Sequence, residues 1–344
     1  MMRSTLLILL IFGAAAASTP CRGQTLPSKS EAAQLIKKTR ETMNLRTPGT
    51  EPFHLVAKFH NEIAGQSFDG TYELLWLSAG EYREEFRMGG TGETDVVLHD
   101  KRYVLRTTPT LTLQLWHVRN LLAAPFVEVK NFAPELEGVH AENDSKKFRV
   151  NVRQGSDQEP LKVTYWYDIA TRAIFLIQGN QTPSRFGSIP PPDLSWELGE
   201  FVAFGTKTVP LRWLRRAFGQ TVEVHIEKLE AVSAFASSVF EAPQNAVIYQ
   251  VCTEGDARMS GPWPEMPKVS LMHPKAFPAY YLLVRHDGRV EKSVPVISSG
   301  GTVDRDMENW FQAAKIPTLL CGDTPIDYET IVIPGAAATL GMVH

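Results

Sequence analysis

Residues 71–106 read TYELLWLSAGEYREEFRMGGTGETDVVLHDKRYVLR. Apolar and polar residues follow one another with a period near two in Thr71 to Leu77, Tyr82 to Met88, Asp95 to Leu98 and Arg102 to Arg106. Turn residues separate the runs at Ser78-Ala79-Gly80, Gly90-Thr91-Gly92 and Asp100-Lys101. Successive side chains of a strand point to opposite faces, so this alternation marks strands buried on one side. In the second run Tyr82, Phe86 and Met88 face one way, and Arg83, Glu85 and Arg87 the other. Short strands joined by short turns give an antiparallel meander.

The pattern extends both ways. Upstream, Phe53, Leu55, Ala57 and Phe59 alternate with His54, Lys58 and His60, and Gly65 and Asp69-Gly70 supply turns. Before that, Ser28 and Glu31 form a capping-box signature, followed by Ala32, Leu35, Ile36, Thr39 and Met43 at helical spacing, until Pro48-Gly49. Downstream, Leu111, Leu113 and Leu115 continue the strand period, and residues 116–125 read as a short helical break. Strand patterns resume at Phe148-Val150-Val152, Leu161 to Tyr167 and Ala173 to Ile177. After a Pro-rich loop from Pro183 to Pro192 come Trp196 to Phe204, Thr208 to Leu214 and Thr221 to Leu229. Residues 51–230 are therefore expected to form one large antiparallel sheet, strongly curved or closed, with a helix in front.

A boundary is expected at Phe240-Glu241-Ala242-Pro243-Gln244. Beyond it a Pro-rich stretch leads to Asp287-Gly288, the strongest short hairpin signal in the chain, between Tyr280–Arg285 and Arg289–Ile297. Val303 to Ala314 is expected to be a helix, with Met307, Trp310, Phe311 and Ala314 on one face, and Pro317 stops it. Tyr328 to Ile333 reads as a final strand. The expected fold class is α+β: a curved antiparallel sheet or unclosed β-barrel with an N-terminal helix, then a small ββαβ unit. The expected units are 1–23 as signal peptide (cut between 17 and 23), 28–243, 244–334, and a tail from 335 to 344.

The chain has 344 residues, 35 Lys+Arg against 38 Asp+Glu, and a formal charge of −3. That near-balance argues against a nucleic-acid binder. The N-terminus, MMRSTLLILLIFGAAAAS, has a basic start, a short apolar core and small residues, the layout of a secretory signal peptide. It is short and poor as a membrane span, so none is expected in the mature chain. The expected location is the periplasm, where disulfides persist. Of the three cysteines, Cys21 falls within the 17–23 window of the cut and so within reach of removal with the signal peptide, and Cys252 and Cys321 are expected to form a bridge. Two buried free thiols are the alternative.

Two resemblances follow from these patterns. The N-terminal helix, the Gly-Glu-Tyr-Arg-Glu-Glu-Phe-Arg run at 80–87, Val96-Val97-Leu98-His99-Asp100 before Tyr103, and the Gly205-Thr206-Lys207-Thr208-Val209-Pro210 turn resemble the LolA/LolB-like periplasmic lipoprotein carriers, over about residues 28–243. The resemblance implies an unclosed β-barrel with a helical lid and an apolar cavity for acyl chains. Asp287-Gly288-Arg289-Val290, Ser298-Ser299-Gly300, Asp304, Trp310, Pro317 and Gly322-x-x-Pro325 are similar to the C-terminal domain of TonB-like energy transducers. That implies an interaction module that pairs with an extended peptide by strand addition. The chain departs from the transducers in lacking an uncleaved anchor and a long Pro/Lys linker, and Met266 to Pro278 is a poor helix.

No linear motif of a phosphate loop, zinc protease or nucleophile elbow occurs. His54 and His60 share a strand face but lie about 20 Å apart, too far to chelate one metal. Adjacent Glu84 and Glu85 face opposite ways and read as a solvated edge rather than an acid/base pair. No catalytic residue, metal or cofactor is assigned. Phe53, Phe59, Trp76, Phe86, Trp116, Tyr165 and Trp196 lie on expected strands and are candidate cavity lining, or else simply core. Tyr328, Glu329, Thr330, Ile331, Val332 and Ile333 are the candidate edge strand for peptide pairing. Three readings follow. The first is a non-catalytic envelope protein whose C-terminal module binds an envelope protein or transporter peptide. The second is a lipid or lipoprotein carrier working through its first unit. The third is an enzyme with a non-linear site on the curved sheet.

Overall fold

The computed structural model describes residues 25–47, 49–63, 65–123, 135–142, 146–156, 159–181, 194–217, 219–252, 257–264, 266–267, 278–298, 300–334 and 342–343. The expected signal peptide, the Pro183–Pro192 loop and most of the Met266–Pro278 stretch and of the tail lie outside the described residues.

Helix α1 (Lys29–Met43) begins at the expected capping box. The Ser28 Oγ accepts from the Glu31 N–H at 3.3 Å, and the Glu31 carboxylate accepts from the Ser28 N–H at 2.7 Å. It buries Ala32, Ile36, Thr39 and Met43, a single helical stripe. A meander follows: β1 (Phe53–Ile63), β2 (Gln66–Ser78), β3 (Glu81–Met88), β4 (Thr91–Leu98) and β5 (Lys101–Arg106). After α2 (Leu113–Ala123) comes a second: β6 (Glu135–Ala141), β7 (Lys147–Ser156), β8 (Glu159–Asp168), β9 (Ile174–Gln181), β10 (Leu194–Phe204), β11 (Lys207–Ala217) and β12 (Gln220–Ala231).

The two meanders join where β12 returns antiparallel to β1, from Phe53↔Ala231 to Ile63↔Gln220. β13 (Val247–Gln250) adds to the outer side of β5, through Val247↔Val104 and Gln250↔Lys101. The order of the thirteen-stranded sheet is β13-β5-β4-β3-β2-β1-β12-β11-β10-β9-β8-β7-β6, and its two ends do not pair. The fold is thus the expected α+β class with a curved, unclosed antiparallel sheet. One face carries the core, and α1 and α2 lie on it.

Two local expectations need correction. Leu113 and Leu115 are not in a strand; they open α2. Thr112 starts that helix, its carbonyl accepting from the Trp116 N–H at 3.1 Å and its Oγ1 from the Leu115 N–H at 3.4 Å. Leu115, Trp116, Val118 and Leu122 are all buried, so the helix meets apolar surroundings on more than one side, and three alternating leucines mimicked a strand. The first sheet also reaches past the expected boundary at 243, because β13 belongs to it.

The rest of the chain comprises β14 (Ala257–Met259), β15 (Ala279–Val284), β16 (Val290–Ile297), α3 (Gly301–Ala313), β17 (Leu319–Cys321), β18 (Thr324–Ile326), β19 (Tyr328–Val332) and β20 (Met342–Val343). They form a three-stranded sheet, β14-β17-β18, and a four-stranded sheet, β16-β15-β19-β20. Gly288 turns the β15–β16 hairpin at φ 83°, and its carbonyl accepts from the Ile316 N–H at 3.0 Å. A Cβ there would lie 2.4 Å from the Ile316 carbonyl oxygen, so only glycine fits. Cys252 and Cys321 are bridged, with Cα atoms 5.3 Å apart.

The two central strands of the four-stranded sheet, β15 and β19, are buried on both faces. Tyr280, Leu282, Val284 and Val332 pack with Met307 and Phe311 of α3. Tyr281, Leu283 and Ile331 face the other way, into the core of the large sheet. The second unit therefore closes off part of the first unit's concave face.

Candidate functional site

The concave face of the large sheet has two chemically distinct parts. Over β1 to β3 it is an aromatic wall. Phe53 stacks on Trp76 at 6.0 Å between ring centres, and Trp76 on Tyr82 at 5.5 Å. These three are register partners on adjacent strands, which brings their rings together. Phe59 instead reaches across its partner Gly70 to stack on Phe86 of β3 at 5.1 Å. A Cβ on Gly70 would lie 2.2 Å from the Phe59 ring, so the glycine makes room for that crossing.

All seven candidate lining residues are buried, none more than 5% exposed. Phe53, Phe59, Trp76, Phe86, Tyr165 and Trp196 come from strands as expected. Trp116 comes from α2 and not from a strand. The Tyr165 hydroxyl accepts from the Arg40 guanidinium of α1 at 3.1 Å. The wall shares one buried core with Ala32, Ile36 and Met43 of α1 and with Leu115, Trp116 and Val118 of α2.

Over β3 to β5 the same face is charged. Glu84 is in phase with Tyr82 and Phe86, and Glu93 and Asp95 are in phase with Val97. Arg102 and Arg106 face them from β5. Arg119 enters from α2, Arg46 from the segment after α1, and Glu329 from β19. The Arg46 guanidinium lies 2.7 Å from Glu84, and Arg119 donates to Glu84 at 2.6 Å and to Asp95. Arg102 donates to Asp95 at 2.6 Å and to Glu329 at 3.3 Å. Arg106 donates to Glu329 at 2.7 Å and lies 2.9 Å from Glu93. The Tyr281 hydroxyl completes Glu329 at 2.6 Å. Four guanidiniums thus meet four carboxyl groups away from water.

Burial alone would raise each carboxyl. For Glu84, Arg119 and Arg46 overcome it and hold the group at about 2. For Glu329, Arg106 and Arg102 do the same, again to about 2. Glu93 is pushed up to about 7 by burial and by neighbouring Asp95, against the pull of Arg119 and Arg106. These groups hold elements together; their carboxylates are engaged by guanidiniums rather than aimed at a substrate.

Alternation alone does not reveal this charged half, and the structure corrects the expectation of a solvated edge at Glu84, which is buried. A signal was present: Glu84 sits between Tyr82 and Phe86 in the inward phase, and Arg102 and Arg106 flank Val104 likewise. Glu85 does face outward, to Arg83 and Arg87.

The expected edge strand also needs correction. β19 lies between β15 and β20, its Glu329 and Thr330 paired with Val343 and Met342, and Tyr328 to Ile333 are all buried. Its outer side is thus already taken along those two residues by the chain's own end. His54 and His60 point to Glu73 and Asp69. Among the described residues no group of His, Cys, Asp and Glu is arranged to hold a metal ion, and no helix is long and apolar enough to cross a membrane.

No protein-family model and no curated protein matches the chain. Several solved structures are similar to it. One is a LolA superfamily protein from Nitrosomonas europaea, 12% identical, with 61% of this chain on 97% of that one at a TM-score of 0.40. A second is a putative outer membrane lipoprotein-sorting protein domain from Vibrio parahaemolyticus, 10% identical, with 62% of this chain on 97% of that one at a TM-score of 0.38. A third is the MucA/MucB complex of Pseudomonas aeruginosa, 14% identical, with 88% of this chain on 94% of that one at a TM-score of 0.29.

Proposed function

We propose that the protein is a non-catalytic binding protein of the bacterial envelope, whose large sheet takes an acyl chain or a similar apolar ligand on its concave face. The observation that carries this reading is the aromatic wall. Six of the seven expected aromatics sit on strands of one open sheet, whose ends do not pair, and share its core with residues of α1 and α2. A face covered by a helix can admit a ligand when the helix moves, with every strand of the ladder kept. α2 lays Leu115, Trp116, Val118 and Leu122 into the core, contacts of the kind an acyl chain makes. In the proposed function α2 lifts and the ligand takes its place.

Strand addition to the small sheet is the second reading. It would require β20 to leave Glu329 and Thr330, and β19 carries the Glu329 that locks the charged network. The first unit is therefore the working part. Catalysis is disfavoured because the buried carboxylates are tied up by guanidiniums.

The test is displacement of a fluorescent fatty acid from the full chain. Wild type is expected to bind it, and Phe86→Glu and Trp116→Glu to lose it with the folded circular dichroism spectrum retained. Trp116→Ala is a milder probe that leaves the polar anchors of α2 in place. Undiminished binding by all three variants overturns the proposal.

A further inference from the structure

α2 has a second polar anchor, separate from the eight-charge network. His117 is 1% exposed and sits between Arg215 of β11 and Gln220 of β12, bonded to both. Donor logic fixes the cluster. A guanidinium can only donate, so His117 Nδ1 accepts from Arg215 and the imidazole is neutral with its proton on Nε2. That N–H donates to the Gln220 Oε1. The Gln220 amide nitrogen is then left as a buried donor with no partner among the described residues.

The register gathers more polar groups on the same face. Arg215 and Asn61 both pair with Val222, from the strands on either side of it, and Gln220 follows two residues along. Gln220 is a diagonal neighbour of each, about 7–8 Å away, while Arg215 and Asn61 stand two strand spacings apart, about 9–10 Å. Asn61 is fully buried, and neither of its amide atoms has a partner among the described residues. The same holds for the indole nitrogen of Trp213, two residues before Arg215. Arg215 itself is 4% exposed, with its guanidinium carbon 6.0 Å from the centre of the Trp196 ring.

Arg215 has no ion pair with a carboxylate among the described residues. Glu197 and Glu223, on the strands beside it, pair with Arg216 and Arg212 on the outer face. Burial pulls the Arg215 guanidinium down to about 10, and burial together with Arg215 holds His117 well below its ordinary value. A buried charge is normally paired, and buried amides are normally bonded. One guanidinium, two amides and an indole N–H are donors that an anionic group can accept from. An apolar path leads away from it: Trp213 pairs with Val224, Val224 with Phe59, and Phe59 stacks on Phe86.

We propose that Arg215, Gln220 and Asn61 form a subsite for the acid head, carboxylate or phosphate, of an acyl ligand whose chain runs along Trp213, Phe59 and Phe86. This rests on the acyl-binding function proposed above and names the class of its ligand: an acidic lipid. His117 covers the subsite from α2, so lifting the helix would free the Arg215 donor, beside the Gln220 amide N–H that is already unpartnered.

The test compares hexadecanoic acid, hexadecyl phosphate, hexadecanol and inorganic phosphate, by calorimetry on the full chain and on Arg215→Met and Asn61→Leu. Methionine replaces a buried unpaired charge with an apolar chain of similar length, so that variant is expected to fold; Asn61→Leu provides an independent check. Wild type is expected to bind at least one of the acids about tenfold more tightly than the alcohol. Arg215→Met is expected to bring that acid to the alcohol's level, and Asn61→Leu to narrow the gap. The preferred acid identifies the head group. Equal binding of acids and alcohol by every protein overturns the subsite and leaves the acyl reading standing. Inorganic phosphate bound through Arg215 with no preference for acid over alcohol overturns the head-group assignment. No binding of any acyl compound overturns both proposals.

Discussion

Arg102 of the large sheet and Glu329 of the small one are 227 residues apart in sequence and joined by a 3.3 Å hydrogen bond in the protein interior. Both are at most 3% exposed. Glu329 is the one carboxylate of the charged network that comes from beyond β13, so it couples the fate of the two units. Removing one member of a buried ion-pair set leaves the others uncompensated. Glu329→Leu is expected to lower stability by about 3–5 kcal/mol. Urea unfolding of the variant checks this, and a midpoint unchanged from wild type would show that the two units are held by apolar contact alone.

Stability should respond to pH in two opposite ways. Glu329 and Glu84 are held at about 2 in the fold, below the ordinary 4.5. A depressed carboxyl contributes stability that is present above about 4.5 and lost as the pH falls toward 2. Glu93 is raised to about 7. Its contribution has the opposite sign: full below about 4.5 and lost as the pH rises through 7. Glu329→Gln is expected to flatten the acid limb of a stability profile, and Glu93→Gln the decline between pH 4.5 and 7. A Glu93→Gln profile parallel to wild type in that window would contradict the assignment.

The Cys252–Cys321 bridge closes a loop of 69 residues. In the chain-entropy picture such a closure contributes about 4 kcal/mol. Reduction, or Cys321→Ala, is expected to lower the thermal midpoint measurably while leaving the β1–β12 pairing intact. Calorimetry with and without reductant reads the shift, and hydrogen exchange reads which strands open first.

Gly70→Ala is expected to destabilise by about 1–3 kcal/mol through overpacking. The added Cβ meets the Phe59 ring at 2.2 Å and the Arg87 carbonyl oxygen at 2.4 Å, and the second of these is backbone that cannot turn aside. Chemical denaturation measures the cost, and a Phe59→Leu background should reduce it.

Much of the fold was legible because alternation is a strong signal where one face is buried. Tyr82, Phe86, Trp76 and Phe53 announce the meander and its inner face, and Ser28 with Glu31 announces α1. Less was legible where a pattern serves two structures. Leu111, Leu113 and Leu115 alternate like a strand, yet α2 is buried on most sides and has no polar face to give it a helical period. The charged half of the concave face was hidden for a different reason. Glu84, Glu93, Asp95, Arg102 and Arg106 read singly as solvent-facing, since a charge is buried only when its partners are, and those partners include Arg119 and Glu329, far away in sequence. The Arg215–His117–Gln220 cluster is of the same kind, because only the β1–β12–β11 register brings Asn61 beside it.

The central claim is that the concave face binds an acyl ligand. Native mass spectrometry of the protein, purified from a periplasmic extract without detergent and then incubated with hexadecanoic acid, tests it most directly. A stoichiometric adduct of acyl-lipid mass, on the extract protein or after incubation, is the expected result. Bare protein in both spectra would contradict the account.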